Sequence, residues 1–136
     1  MKVKIHNAIE AISKNVSEIC LGLIFCVYGM SGFLNFFSSP TPLPSAHEFL
    51  YGLYSAPYFF PLLKGVEVFC GLALIFNSWV KLSLVALAPI IVNIVLFHAF
   101  LDFSQESVVI PAVVLAFYLS LLWKYRKDLK FLMERK

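Results

Sequence analysis

Charge is what this sequence has least of. Only 14% of its 136 residues are Asp, Glu, Lys or Arg, against about 25% in an ordinary soluble domain. From Ile19 to Phe37, and again from Leu82 to Leu101, there is no formal charge at all. Cysteine is also sparse. Cys20, Cys26 and Cys70 lie in or near apolar runs without C-x-x-C spacing, which gives no basis for a disulfide framework or a zinc site and reads as small packing residues. Of the three histidines only His98 sits inside an apolar run, one too few for a membrane haem held between two imidazoles. His6 and His47 are expected on opposite sides of the membrane, so no metal site is assigned. A phosphate-cradling glycine loop, a nucleophile elbow and a metal-hydrolase motif are all missing. No basic patch is interleaved with aromatics, so nucleic acid is not an expected partner.

What is present is apolar surface. Sixty percent of the residues are hydrophobic and the mean hydropathy is +0.84, beyond the roughly 45–50% of a soluble domain. One hundred and thirty-six residues make a single membrane domain, 1–136, with no room for a soluble catalytic domain beside it. The apolar runs predict an all-α polytopic membrane protein: four transmembrane helices in an antiparallel bundle, with a short interfacial helix in the first outer loop.

The four spans are expected at about 19–37, 57–76, 82–101 and 108–123, followed by a basic tail over 124–136. The first, at about 1.5 Å per residue, reaches about 28 Å, close to the hydrocarbon thickness. Glu10 and Glu18 precede it, and it ends in Asn35-Phe36-Phe37-Ser38 without a small-x-small cleavage site; it reads as a retained span rather than a signal peptide. Spans two and three form a hairpin through Asn77-Ser78-Trp79-Val80-Lys81. The fourth is slightly short, with Tyr118, Trp123 and Tyr125 as interfacial aromatics.

Ten of the eleven Lys and Arg residues fall on one side of this arrangement: Lys2, Lys4 and Lys14, Lys81 in the hairpin, and Lys124, Arg126, Lys127, Lys130, Arg135 and Lys136 in the tail. The opposite loops carry only Glu48, Asp102 and Glu106. Basic residues are retained on the cytoplasmic side, which places both termini in the cytoplasm and the protein in the cell (inner or plasma) membrane. The N-terminal arm, with Ile5, Ile9, Ile12 and Val16 opposite Lys4 and Lys14, reads either as an interfacial amphipathic helix or as an ordinary lead-in. The outer loop opens on Pro40-Thr41-Pro42-Leu43-Pro44, which cannot be helical. Ser45-Ala46-His47-Glu48 then matches a capping box, predicting a short helix that carries Phe49, Leu50, Leu53 and Tyr54 to near Pro57.

Ionisable groups inside spans are the functional lead, since each costs about 2.5–3.5 kcal/mol at the bilayer centre unless it faces protein or water. Lys64 and Glu67, three apart on one face, either neutralise each other and glue the bundle or take part in a site. At the helical rise they share the outer half of the membrane with Asn93, while His98, Asp102 and Asn35 lie nearer the surface. The expected site is therefore an outward-opening polar pocket lined by Asn35, Lys64, Glu67, Asn93, His98 and Asp102, with Tyr28 as a deeper member. His98 and Asp102, four apart, could pair so that the carboxylate fixes the imidazole tautomer, or be a satisfied interfacial histidine beside a solvated carboxylate. Asn93 lies about 140° from His98 on an ideal helix, so both reach one pocket only if it is broad or Pro89 distorts the helix. Gly22, Cys26, Gly29 and Gly32 form a small-residue seam expected to serve close helix packing.

From Leu21 to about Arg126 the chain resembles the DoxX-like family of small four-helix integral membrane proteins. The resemblance is carried by Tyr28-Gly29-Met30-Ser31-Gly32-Phe33-Leu34-Asn35-Phe36, by the proline-rich loop, by Tyr58 to Val68 with its Lys-x-x-Glu, and by Ala88 to Asp102. It implies a four-helix bundle in a group named for a subunit linked to quinone-dependent thiosulfate or quinol oxidation in archaea, with some members associated with oxidative-stress defence. Relatives carry an acidic residue in the fourth span, where this chain has Phe117, Tyr118 and Ser120.

Three functions are compatible with these features: a quinone-associated redox or accessory subunit whose pocket holds the head group, a small-solute carrier or binding protein that would have to dimerise, and a non-catalytic assembly subunit of a membrane complex. No redox centre or intrinsic cofactor is visible in the chain. A bound quinone, a membrane redox partner or a homo-oligomer, and the lipid bilayer are the expected companions. No residue is assigned a catalytic role.

Overall fold

The computed structural model describes residues 1–35, 43–103 and 105–134. Among these there are seven helices and no strand. They are α1 (Lys2–Lys14), α2 (Val16–Leu34), α3 (Pro44–Ser55), α4 (Phe59–Ile75), α5 (Val80–Phe100), α6 (Gln105–Lys124) and α7 (Arg126–Glu134). The expected end of the first span at Phe37, most of the proline-rich stretch, and Arg135 and Lys136 lie outside the described residues.

Among the described residues three helices are long and apolar enough to cross a membrane: Val16–Leu34, Val80–Phe100 and Ser107–Lys124 within α6. A fourth candidate is the bent pair α3 and α4, whose axes turn by 93° between Ser55 and Phe59. The chain is thus a multi-pass helical membrane protein. Leu23, Phe69, Leu72, Val85, Val92, Leu96 and Leu119 are all exposed, an apolar belt that water would penalise and acyl chains would cover.

The four long helices pack in a ring, α2 on α4, α4 on α5, α5 on α6 and α6 on α2. Its interior is filled by Leu21, Phe25, Leu74, Leu84, Leu87, Ile91, Val114 and Leu121. Lipid tails are as apolar as leucine, so helices in a bilayer associate through close approach and hydrogen bonds instead of through exclusion of water. The α2–α4 contact shows the first device. A Cβ added at Gly22 would lie 2.6 Å from the Gly71 carbonyl oxygen, and one at Gly71 would lie 2.8 Å from the Gly22 carbonyl oxygen. The two backbones touch. Gly29 meets the backbone of Val68 and Gly32 meets the Lys64 side chain, so the small-residue seam is the α2 half of this contact. The α5–α6 contact shows the second device. Tyr118 Oη donates to the Leu84 carbonyl at 2.9 Å in the interior, so Tyr118 is a buried tie between helices instead of an interfacial aromatic.

The turns have local causes. Asn77 adopts a left-handed conformation, with φ 52°. Its N–H donates to the Leu74 carbonyl and that of Ser78 to the Ala73 carbonyl, a Schellman arrangement that ends α4 where asparagine tolerates positive φ. Helix α3 begins at Pro44, with Leu43 as N-cap and no side-chain cap bond. This corrects the capping box, because proline's fixed φ already suits the first helical position. Ser45 instead donates to the Leu101 carbonyl at 3.3 Å. At the other end of the chain the basic tail, read only as a tail, is helical as α7.

Gly22→Ala should lower the thermal stability of the detergent-solubilised protein by an amount equivalent to about 1–3 kcal/mol of overpacking. Gly65→Ala, where an added Cβ meets nothing within 4 Å, should raise it by up to about 1 kcal/mol through helix propensity. Parallel melting curves followed by circular dichroism read both.

Candidate polar sites at the two ends of the bundle

Lys64 and Glu67 do pair. Lys64 Nζ donates to Glu67 Oε2 at 2.8 Å, with Glu67 buried and Lys64 half-buried. Glycine at position 32 makes the room, since a Cβ there would fall 2.6 Å from Lys64 Cγ. The ammonium also sits 5.6 Å from the centre of the Phe60 ring. An ion pair held between α2 and α4 is thus the embedded charged feature of this half.

The other expected pocket residues take separate places. Asn35 ends α2 in the left-handed conformation with φ 51° and ψ 45°, its N–H bonded to the Ser31 carbonyl, and is exposed. It serves as a helix terminator, a role asparagine shares with glycine. Tyr28 is on the exposed side of α2, and its carbonyl accepts from Ser31 Oγ at 2.8 Å. Asn93 is exposed on α5. His98 is half-buried, with Nδ1 2.8 Å from the Ile94 carbonyl. Because that carbonyl can only accept, Nδ1 carries a proton in this contact. Of the two readings of His98 and Asp102, the structure has the satisfied histidine: among the described residues no hydrogen bond joins the two side chains, the Asp102 N–H caps α5 through the Phe97 carbonyl, and the Asp102 carbonyl accepts from Ser107. Histidine one turn from its own helical carbonyls finds a partner at i−4 before it reaches a residue beyond the helix end.

Helix α3 links the two halves of this end. Ala46 is fully buried, so α3 is docked against the bundle. Its Phe49 ring lies 5.6 Å from Phe97, which stands edge-on to His98 at 5.1 Å. Its Tyr54 ring lies 4.3 Å from Phe60, the ring beneath Lys64. Aromatic contacts therefore run from the capping helix to both the lysine and the histidine.

The end bearing both termini holds a cluster that the polar-residue argument passed over. Glu18, in the first turn of α2, is 0% exposed. Its Oε1 accepts from Lys124 Nζ at 2.5 Å and from Tyr125 Oη at 2.8 Å, while its Oε2 is buried without a partner among the described residues. Lys124 also donates to the Lys14 carbonyl, and Lys81 pairs with Asp128 at 3.0 Å across to α7. The signal was in the sequence. Glu18 falls inside α2 because that helix begins at Val16, three residues before the uncharged run. The Tyr125 phenol is pushed up to about 12, by burial first and then by its hydrogen bond and proximity to Glu18. An open depression lined by Asn77, Trp79, Val80, Lys81 and Tyr125 lies beside this cluster. No group of His, Cys, Asp and Glu suited to hold a metal is present among the described residues.

Comparison of the chain with protein-family models, curated proteins and solved structures finds no match.

Two measurements check these sites. Lys64→Met or Glu67→Leu alone leaves one buried charge and should cost about 3–5 kcal/mol, whereas the double variant should be nearly neutral; thermal shift assays in detergent give the comparison. The Tyr125 phenolate band in ultraviolet titration should appear only near pH 12, and in Glu18→Gln should move toward the ordinary tyrosine value of about 10. Since folding favours the neutral phenol, its stabilisation is complete below pH ~10 and is lost as pH rises through about 12.

Proposed function

We propose that this chain is a four-span protein of the DoxX-like kind in the cell membrane, with both termini cytoplasmic, and that it serves as a quinone-associated accessory subunit of a membrane redox system. In this reading α4 is the second span, with α3 lying along the outer interface as its cap. Seventeen residues in α4 reach about 25 Å, enough with modest bilayer adjustment. The basic residues gathered at the end that carries both termini support the orientation.

The observation that carries the reading is the aromatic bridge of α3, Phe49 on Phe97 and Tyr54 on Phe60, with His98 and Lys64 as the polar neighbours of the two lower rings. A quinone head group is planar, apolar on its faces and an acceptor at its carbonyls. Lys64 retains N–H donors beyond the one given to Glu67, and His98 Nε2 can accept from a quinol hydroxyl. Electrons pass to or from a partner subunit in this scheme. The mutual neutralisation of Lys64 and Glu67 at 2.8 Å favours a second reading, a purely structural assembly subunit.

Mass spectrometry of small molecules copurifying in mild detergent separates the two. The quinone reading expects a stoichiometric quinone in wild type that is lost in His98→Ala and in Lys64→Met. An empty wild-type protein, or equal retention in both variants, would overturn it.

A further inference from the structure

Asn93 stands where a polar group has no reason to be. It lies inside α5, about 10 Å along the helix from Phe100 at 1.5 Å per residue, and its side chain is exposed in an otherwise apolar surface. Its neighbours one turn away on the helix surface are Leu96 and the exposed ring of Pro89, with Val85 and Val92 about 80–100° further round at 100° per residue; Val85, Val92 and Leu96 are each 49–56% exposed. No hydrogen bond reaches its carboxamide from any described residue, and Asn93 is not among the residues with further contacts. In hydrocarbon there is no water to supply the missing partners, so this amide is satisfied only by something that meets the face from within the bilayer.

We infer that the Asn93 face of α5 pairs with the same face of a second copy of this chain inside the membrane. A carboxamide both donates and accepts, so two of them related by a two-fold axis along the membrane normal complete each other through a reciprocal pair of hydrogen bonds. A second copy inserted with the same topology presents its Asn93 at the same depth automatically. A foreign helix would need a polar group matched to that level. The flanking valines and leucine supply packing without further polar demand, and polar residues at helix–helix contacts in membranes serve this adhesive role. The pairing leaves α2, α4 and the α3 cap untouched and uses the exposed side of α5, whereas the half-buried Phe97 and His98 face the α3 side.

The test is Förster transfer between donor- and acceptor-labelled copies reconstituted in phosphatidylcholine vesicles over a range of protein-to-lipid ratios. Wild type should show transfer above random proximity that declines on dilution with lipid. Asn93→Val should weaken association about tenfold, or ~1.4 kcal/mol, without lowering the melting temperature, because it removes a polar group from a lipid-facing position. Asn93→Gln should restore association. In a second arm, oxidative crosslinking through Leu96→Cys should give a dimer, while Val113→Cys on the lipid side of α6 should not. Monomeric wild type, undiminished transfer in Asn93→Val, crosslinking through α6 in preference to α5, or Asn93 engaged by a different protein or by a quinone without self-association would each overturn the inference.

Discussion

The contact between the peptide backbones at Gly22 and Gly71 is the constraint on which the rest depends. Two helices that meet without side chains between them have little freedom of register, and the antiparallel run of α2 and α4 then dictates each later level of the seam. Gly29 comes opposite Val68 and Gly32 opposite Lys64. Lys64 is thereby laid into the notch left by Gly32, which turns its ammonium back along its own helix to Glu67 instead of outward to lipid. The embedded charge pair is thus a consequence of glycine spacing on a neighbouring helix.

The two ends of the bundle are finished differently. At the end away from the termini the closing element is a helix laid across the others, joined by ring contacts and one weak hydroxyl bond. At the other end it is electrostatic, with Glu18, Lys124 and Tyr125 tying α2 to the end of α6, and Lys81 and Asp128 tying α5 to α7. Beyond that cluster α1 and α7 have no buried residues and expose Ile5, Ile9, Ile12, Phe131 and Met133. Their basic and apolar residues together suit the head-group boundary.

The helices were legible because hydropathy over 20 or so residues is a strong, local signal. Three of the apolar runs coincide with helices long enough to cross a membrane, and the pairing of Lys64 with Glu67 followed from their spacing. Legibility fell away wherever the outcome depended on rotation about a helix axis. Depth along α5 put Asn93 level with the polar residues of α4, but depth says nothing of the direction a side chain faces, and Asn93 faces away from the bundle. Glu18 was passed over for the opposite reason. A carboxylate just ahead of an uncharged run looks like a flank, and only the position of Lys124 and Tyr125, more than a hundred residues later, makes it interior.

That separation along the chain bears on how the protein is made. Glu18 enters the bilayer region with the first long helix, while the two groups that satisfy it are the last residue of the fourth, Lys124, and the turn residue after it, Tyr125. Through most of synthesis the first helix therefore carries a carboxylate without the partners that Lys124 and Tyr125 supply in the folded chain. Its final position becomes favourable only once the chain has grown past Tyr125, so a product cut short before that point retains a mark of incompleteness in its first helix.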